Sequence, residues 1–470
     1  MAVNEGKENK MGVMPVNRLL LNMSRPMMLS MLVQALYNIV DSIFVSKINE
    51  DALTAVSLAF PIQALMIAFA VGTGVGVNAL LSRSLGEKNT ERANQVATNG
   101  IFLAFVSYVL FVLIGIFFTD IFFRTQTNSQ ENSELIMQYG TTYMRICCIC
   151  SIGMFVQAMT EKLLQSTGKT VLAMTTQMTG AVINLILDPI LIFGYFGLPR
   201  MGVAGAATAT VIGQCVAAVL AVVLNQLKNK EIRVSFRQSP VNFGMIVEIY
   251  RVGIPSIVMQ AIGSVMTYGM NLILMSFSST AAAVFGVYFK LQSFVFMPVF
   301  GLNNGIVPIL AYNYGAGKRD RMIRTVKLSV AYAVGLMAVG FLVFQIIPDK
   351  LLLLFEASDE MLKIGVPALR AISCCFVFAG FSIVVGSVFQ ALGKAFYSMI
   401  VSIARQLLVL LPTAYLLAKQ FGLQAVWYAF PIAEIISLSL STIFFVHIYR
   451  TIIKHVGLRG EEHEVRMSDR

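Results

Sequence analysis

Along this chain apolar positions do not alternate with polar ones; they run on in long blocks. Twelve such blocks recur, at roughly 24–46, 53–82, 95–118, 138–163, 168–194, 202–226, 246–275, 281–311, 326–347, 363–390, 395–418 and 422–449, separated by short stretches of Gly, Pro and charge. Blocks of about 20 to 30 residues can cross about 30 Å of hydrocarbon at 1.5 Å per residue, so each predicts a membrane-spanning helix rather than a barrel strand. The fold class expected is an all-α integral membrane protein with twelve transmembrane helices.

Composition strengthens that reading. Hydrophobic residues make up 57% of the 470 and charged residues only 13%, with a mean hydropathy of +0.75, whereas a soluble domain carries about 25% charge. The net charge of +11 would suit a nucleic-acid partner if it were clustered, but the cations lie in short loops. With both termini in the cytoplasm, roughly 25 Lys and Arg fall in the tails and inner loops against roughly 6 outside, which sets orientation and leaves no role for nucleic acid. The polar segment 1–17 is short and no small-residue cleavage site follows the first span, so the N-terminus is expected to stay cytoplasmic. The lipid bilayer of the inner (plasma) membrane is then the surrounding medium. Cys147, Cys148, Cys150, Cys215, Cys374 and Cys375 all sit in apolar blocks with no histidine near, which points away from disulfides and zinc.

The longest polar connection in the middle, NQLKNKEIRVSFRQSPVNF, divides the chain. It predicts an N-terminal six-helix lobe at 1–226, a cytoplasmic linker at 227–245, a C-terminal six-helix lobe at 246–455 and a cytoplasmic tail at 456–470. A shift of 229 positions aligns Pro26 with Pro255, Phe60 with Phe289, Gln63 with Gln292, Gly72 with Gly301, Gly76 with Gly305, Gly86 with Gly315 and Arg92 with Arg321, without a gap. LLQSTGKT (163–170) likewise resembles VFQALGKA (388–395). Each half holds an even number of helices, so the copies share one orientation: a parallel repeat about a pseudo-twofold axis along the membrane normal. Two bundles facing each other would leave a central cleft suited to alternating access.

Ionised residues inside such blocks are the candidate chemistry. Asp188 follows Asn184 by four residues, on one helical face. Pro189 has no N–H, which leaves the carbonyl of Leu185 without its helical partner and offers a kink or a further oxygen ligand. Asp41 lies on the first span one turn after Tyr37 and Asn38. Counted from the outer helix ends, Asp41 and Asp188 are about 8–9 Å deep and Thr210 about 12 Å. A buried carboxylate costs about 3 kcal/mol, and two together repel, so the pair should hold a proton or a small hard cation such as Na⁺. The alternative is that Asp188-Pro189 ends a helix near the interface while Asp41 snorkels to water.

The C-terminal half carries a different set. Lys290 and Glu434 have comparable expected depth and read as a structural ion pair, with Arg405 completing a network. Glu161, beside Lys162 at the inner end of the fourth span, reads as interfacial. Gln63 and Gln292 occupy equivalent repeat positions, facing either the cleft or a neighbouring helix. With Gln34, Tyr37 and Asn38 they are the candidate lining of a substrate cleft, to which 26 Met and 33 Phe could add an adaptable surface. GKT at 168–170 is no nucleotide-binding loop, since the glycine required five residues before Gly168 is Leu163. No ATPase, nucleophile elbow or His/Cys metal cluster is written in the chain, so it does not read as an enzyme.

Taken together, VDSIFVSKI (40–48), AFPIQ (59–63) with GTGVGV (72–77), NLILDPILIFG (184–194), GVAGAATAT (202–210) and ILAYNYGAGKRDR (309–321) resemble the multidrug and toxic compound extrusion transporters across nearly the whole chain. The resemblance implies a secondary active antiporter, acting as a monomer without a cofactor or ATPase subunit, that exports small amphipathic cations in exchange for H⁺ or Na⁺. It implies a cation-coupling site at Asp41, Asn184, Asp188 and Thr210. Acids that one branch carries in its seventh and tenth helices have no counterpart in 259–275 or 371–390, so the chain resembles the branch that couples through the N-terminal lobe, as in Gram-positive multidrug exporters. The alternative function is a flippase for lipids or lipid-linked saccharides of the same superfamily; such chains usually have fourteen spans and a cationic cavity. A receptor or channel would call for a sensory domain that this chain lacks.

Overall fold

A computed structural model describes residues 8–127, 133–355 and 357–457. The tail expected at 456–470 lies outside the described residues from 458 on, as do the first seven residues of the N-terminal polar segment. The first half runs α1 (Lys10–Val13), α2 (Val16–Ser46), α3 (Glu50–Gly86), α4 (Thr90–Phe117), α5 (Thr119–Thr127), α6 (Ser133–Ile149), α7 (Ile152–Ser166), α8 (Thr170–Phe193) and α9 (Val203–Lys228). The second runs α10 (Phe243–Met275), α11 (Ser279–Gly315), α12 (Arg319–Ile346), α13 (Pro348–Leu353), α14 (Asp359–Ser373), α15 (Phe376–Ala391), α16 (Ala395–Ile403), a π-helical turn at Ala404–Leu410, α17 (Leu411–Phe421), α18 (Leu423–Val426) and α19 (Ala429–Thr451).

Ten helical stretches are long and apolar enough to span a membrane, and α6 with α7 and α14 with α15 make two more, bent by 46° and 47°. The count of twelve stands, with the fourth span broken in each half where the sequence predicted continuous helices at 138–163 and 363–390. A serine stands at each break. Ser151 Oγ donates to the carbonyl of Cys148 (2.7 Å) and Ser373 Oγ to that of Arg370 (3.0 Å). A hydroxyl bonded back to a carbonyl competes with the helical ladder and favours a bend where the helix is already interrupted.

The chain forms two compact units. The N-terminal unit is Leu29–Leu81 with Asn89–Ile257; the C-terminal unit takes the described residues up to Met28, Ser82–Lys88 and those from Val258 on. Of the four crossings between units, those after Met28 and after Ile257 are related by the 229-residue shift. Contacts inside the units repeat in the same register: Gly72 packs against Ile257, and Gly301 against Met28. Within lipid no hydrophobic force draws helices together, so close packing must. Each unit is knit by three aromatic rings on equivalent helices. Phe69, Phe111 and Phe155 of α3, α4 and α7 lie 5.6 Å apart at each contact; Phe296, Phe376 and Phe344 of α11, α15 and α12 lie 5.3 and 5.1 Å apart.

Polar chain segments close each unit at one end. The linker lays its backbone on α4, with Arg233 N donating to Asn94 Oδ1 (2.6 Å) and Asn242 N to Asn99 Oδ1 (3.0 Å). In the C-terminal unit, Asn313 Nδ2 and an Arg321 guanidinium nitrogen both donate to the carbonyl of Met11, at 3.0 Å each.

Candidate functional site in the N-terminal unit

The site begins with a helical hairpin whose spacing is set by small residues. Met201 N and Gly202 N donate to the carbonyls of Leu191 and Ile192 at 3.0 and 3.1 Å, tying the start of α9 to the end of α8. A Cβ on Gly205 would stand 2.6 Å from the backbone of Leu191, and one on Gly213 would stand 2.7 Å from the carbonyl oxygen of Gly180. Only glycine allows that approach, and it brings Thr210 level with Asn184.

Helix α8 does not end at Pro189. It continues to Phe193, where Gly194 adopts a left-handed conformation (φ 76°) and closes the last turn. Asp188 is therefore an intrahelical residue, 0% exposed. Asn184, also buried, turns its amide nitrogen to Asp188 Oδ2 (2.9 Å) and its oxygen to Thr210 Oγ1 (3.0 Å) and N (2.8 Å), the orientation that satisfies both ends of the amide. Asp41 of α2 is in hydrogen-bond contact with Asp188, and the Tyr37 hydroxyl one turn earlier is bonded to Thr210. Asp41 Oδ1 and Asp188 Oδ1 are buried with no hydrogen-bond partner among the described residues.

Two carboxylates in contact need a proton or a cation between them. The oxygens left free on the pair are hard carboxylate oxygens with hydroxyls of Tyr37 and Thr210 nearby, which suits H⁺ or Na⁺ and not a soft metal. Asp41, Asn184, Asp188 and Thr210 thus meet in one place, together with Tyr37. Of the other cleft candidates, Gln34 and Asn38 are exposed on α2, and Gln292 is half-buried on α11. Gln63 faces a neighbouring helix, where its Nε2 donates to the Tyr143 hydroxyl at 2.9 Å. Tyr143 is in turn hydrogen-bonded to Cys147 one turn on. This outer layer escaped the sequence reading; the signal available was the four-residue spacing of Tyr143 and Cys147 on the fourth span.

The C-terminal unit arranges its charges otherwise. Glu434, 3% exposed, pairs with Arg405 at 3.1 Å. Lys290, expected as its partner, is exposed, with its ammonium 5.9 Å above the ring of Phe355. Arg405 stands on the π-helical turn Ala404–Leu410, just ahead of Pro412, which provides no N–H for the carbonyl of Leu408. That widened turn rotates the guanidinium relative to regular helical phase, which equal-depth counting along straight helices cannot anticipate. Glu161, expected at the interface, is 4% exposed in the interior.

A repeated, all-helical membrane protein with buried ionisable side chains at mid-helix is the architecture of a transporter. The sequence matches the MatE family over residues 26–190 and again over 255–416, the two matches starting at Pro26 and Pro255, and the chain belongs to this family of multi-pass membrane transporters. It is 28% identical to the multidrug export protein MepA of Staphylococcus haemolyticus over 88% of this chain and 90% of that protein. It is 26% identical to an FAD transporter of Shewanella oneidensis, over 90% and 92% of the two chains. Among solved structures it matches a MATE transporter in complex with MaL6 (TM-score 0.89, 23% identity, 96% of this chain and 100% of that one) and an outward-facing multidrug resistance MATE transporter (TM-score 0.88, 23% identity, 96% and 99%).

Proposed function

We propose that this transporter is a secondary active antiporter that exports amphipathic cationic compounds in exchange for H⁺ or Na⁺ bound between Asp41 and Asp188. The observation that carries the reading is the contact between the buried Asp188 and the half-buried Asp41, each with one buried oxygen left unpartnered, inside a shell of Asn184, Thr210 and Tyr37. Multidrug export by the staphylococcal relatives supports it. An ion entering from outside neutralises the pair and lets α2 repack, with Pro26 as the point where its ladder is weakest. Exchange of one H⁺ or Na⁺ for one monovalent cation moves no net charge, so the ion's concentration gradient drives export; each net charge carried inward beyond that adds about 2.3 kcal/mol per 100 mV.

The test is efflux of ethidium from purified protein in liposomes, with Na⁺ and pH gradients imposed separately. Efflux driven by one gradient and lost in Asp41→Asn establishes antiport and names the ion. Efflux by Asp41→Asn and Asp188→Asn at the parent's rate would refute the assignment. Transport of FAD in place of ethidium under the same gradients would move the cargo to the class of the Shewanella relative.

A further inference from the structure

The stretch that joins α9 to α10 is polar in sequence, yet it turns large apolar side chains outward. Val234, Phe236, Val241 and Phe243 are all exposed, Phe236 by 52% and Phe243 by 78%. The backbone beneath them is fixed. Besides the bonds of Arg233 N and Asn242 N to Asn94 and Asn99, Ser235 N donates to Thr98 Oγ1 at 3.2 Å, so three side chains near the start of α4 hold the main chain. A turn closed by Ser239 N on the carbonyl of Ser235 (2.9 Å) leaves Phe236 and Arg237 at its corner, both exposed. Anchored through its main chain, the stretch keeps these side chains free for contacts outside the unit.

Its charge is unbalanced. Both acids between Lys228 and Arg251 are already engaged, Glu231 with Lys169 (3.3 Å) and Glu248 with Arg92 (2.6 Å). Lys228, Lys230, Arg233 and Arg237 are exposed and have no ion pair among the described residues.

The helices on either side fix the height of the stretch in the bilayer. On α9, Ile212, Val216, Val219, Val223 and Leu227 are exposed and recur every three or four residues, a single face. On α10, Phe243, Val247 and Ile254 share one face in the same way. An apolar face left uncovered along a spanning helix lies against acyl chains. The face of α9 ends at Leu227, and the cations start at the next residue. The stretch therefore lies where acyl chains give way to headgroups, a level at which Lys and Arg reach phosphate while their stems and nearby aromatic rings stay in the apolar layer. In water it would be an uncovered apolar patch beside unmatched cations.

We propose that residues 228–243 form a docking surface for anionic phospholipid of the leaflet at this end, cytoplasmic by the charge bias of the loops. Lys228, Lys230, Arg233 and Arg237 take the phosphate headgroups, and Phe236 and Phe243 insert beside the glycerol and upper acyl carbons. A cluster of about four to eight cations just beyond a span marks acidic-lipid binding. Because the same main chain is bonded to α4 and joins α9 to α10, bound lipid holds the ends of these helices at one depth.

The test uses the full-length protein with Phe236→Trp as reporter, in phosphatidylcholine bilayers containing a minority of phosphatidylglycerol, with bromine on the acyl chains of one lipid or the other. Trp427 is 0% exposed, and the parent supplies its background signal. Brominated phosphatidylglycerol should quench the reporter as though enriched about fivefold at the site over brominated phosphatidylcholine, and the preference should shrink as salt rises. Replacing Lys228, Lys230, Arg233 and Arg237 together by Gln should abolish the preference, whereas Arg233→Lys with Arg237→Lys should keep most of it. Should the fourfold variant not fold, Arg233→Gln with Arg237→Gln should lower the preference by about half. Equal quenching by the two lipids, or a preference that survives undiminished in the Gln variants, would overturn the proposal. So would the absence of quenching by either lipid, which would put the stretch in water and leave its patch to a soluble partner. Glycerol phosphate in solution should not compete; loss of the preference on adding it would make the surface a free-anion site instead. Binding is read here without transport, so failure of the antiport assay leaves the outcome intact.

Discussion

The two units bury charge in opposite ways. In the N-terminal unit two acids face each other, and their like charges can be accommodated only by an ion from outside the protein. In the C-terminal unit Glu434 faces Arg405, which neutralises it permanently, and a fixed counterion leaves nothing to exchange. The backbone follows suit. Where α8 and α9 press together through Gly180 and Gly213, the corresponding helices of the second half carry the bulky Arg405 and Glu434, with a π-helical turn making room. From one ancestral bundle plan, then, small residues at a helix crossing favour a compact ion site, and large charged ones a structural clamp.

Removing charge should break the two units in different ways. The largest effect is expected for Asp188→Asn: coupled efflux falls at least a hundredfold, equivalent to about 2.8 kcal/mol, while the melting temperature holds or rises because like-charge repulsion is relieved. Efflux assays with thermal melts on the same preparation check both halves of that statement. Glu434→Gln should do the reverse, costing about 3 kcal/mol of stability by leaving Arg405 without its partner, with efflux per folded molecule close to the parent's. Replacing Arg405 and Glu434 together by Met should recover most of that stability; if the double variant instead stayed folded and lost transport, the C-terminal pair would be part of the coupling machinery.

A subtler probe is Gly213→Ala, whose methyl would meet the Gly180 carbonyl oxygen at 2.7 Å. The helices must separate, at a cost of about 1–3 kcal/mol, and Thr210 moves off Asn184, so the concentration of coupling ion needed for half-maximal efflux should rise. The smallest effect should come from the polar closure of the C-terminal unit. Glu8 has its carboxyl held below the ordinary range by a hydrogen bond from Lys318. A depressed acid contributes stability at pH above its unfolded value and loses it as pH falls through the folded one, so Glu8→Gln should lower the melting temperature slightly at neutral pH and not at all in strong acid.

Much of this was legible before folding. Twelve apolar blocks predict twelve spans because helical backbone is self-satisfying in lipid, and the 229-residue register of Pro and Gly predicts two bundles because those residues govern where helices bend and touch. Asp41 and Asp188 stand out because an acid in an apolar block is costly whatever it touches. Other features were hidden because they depend on rotation about a helix axis or on a partner distant in sequence. Glu434 chooses Arg405 over Lys290 through the phase shift of the π-turn. Gln63 turns to Tyr143, a residue 80 positions away. Glu161 looks interfacial by its place near a helix end and is interior because α8 and α9 cover it.

The sequence by itself determined that the chain spans a bilayer, how often and in what repeat, and singled out Asp41, Asp188 and Glu434 as acids within it, since these follow from transfer energies and periodicity that each segment carries alone. Only the tertiary structure decided which acid meets which partner, because contact between side chains on different helices is fixed by helix phase, by the bends at Ser151 and Ser373, and by the glycines that set how near two backbones come.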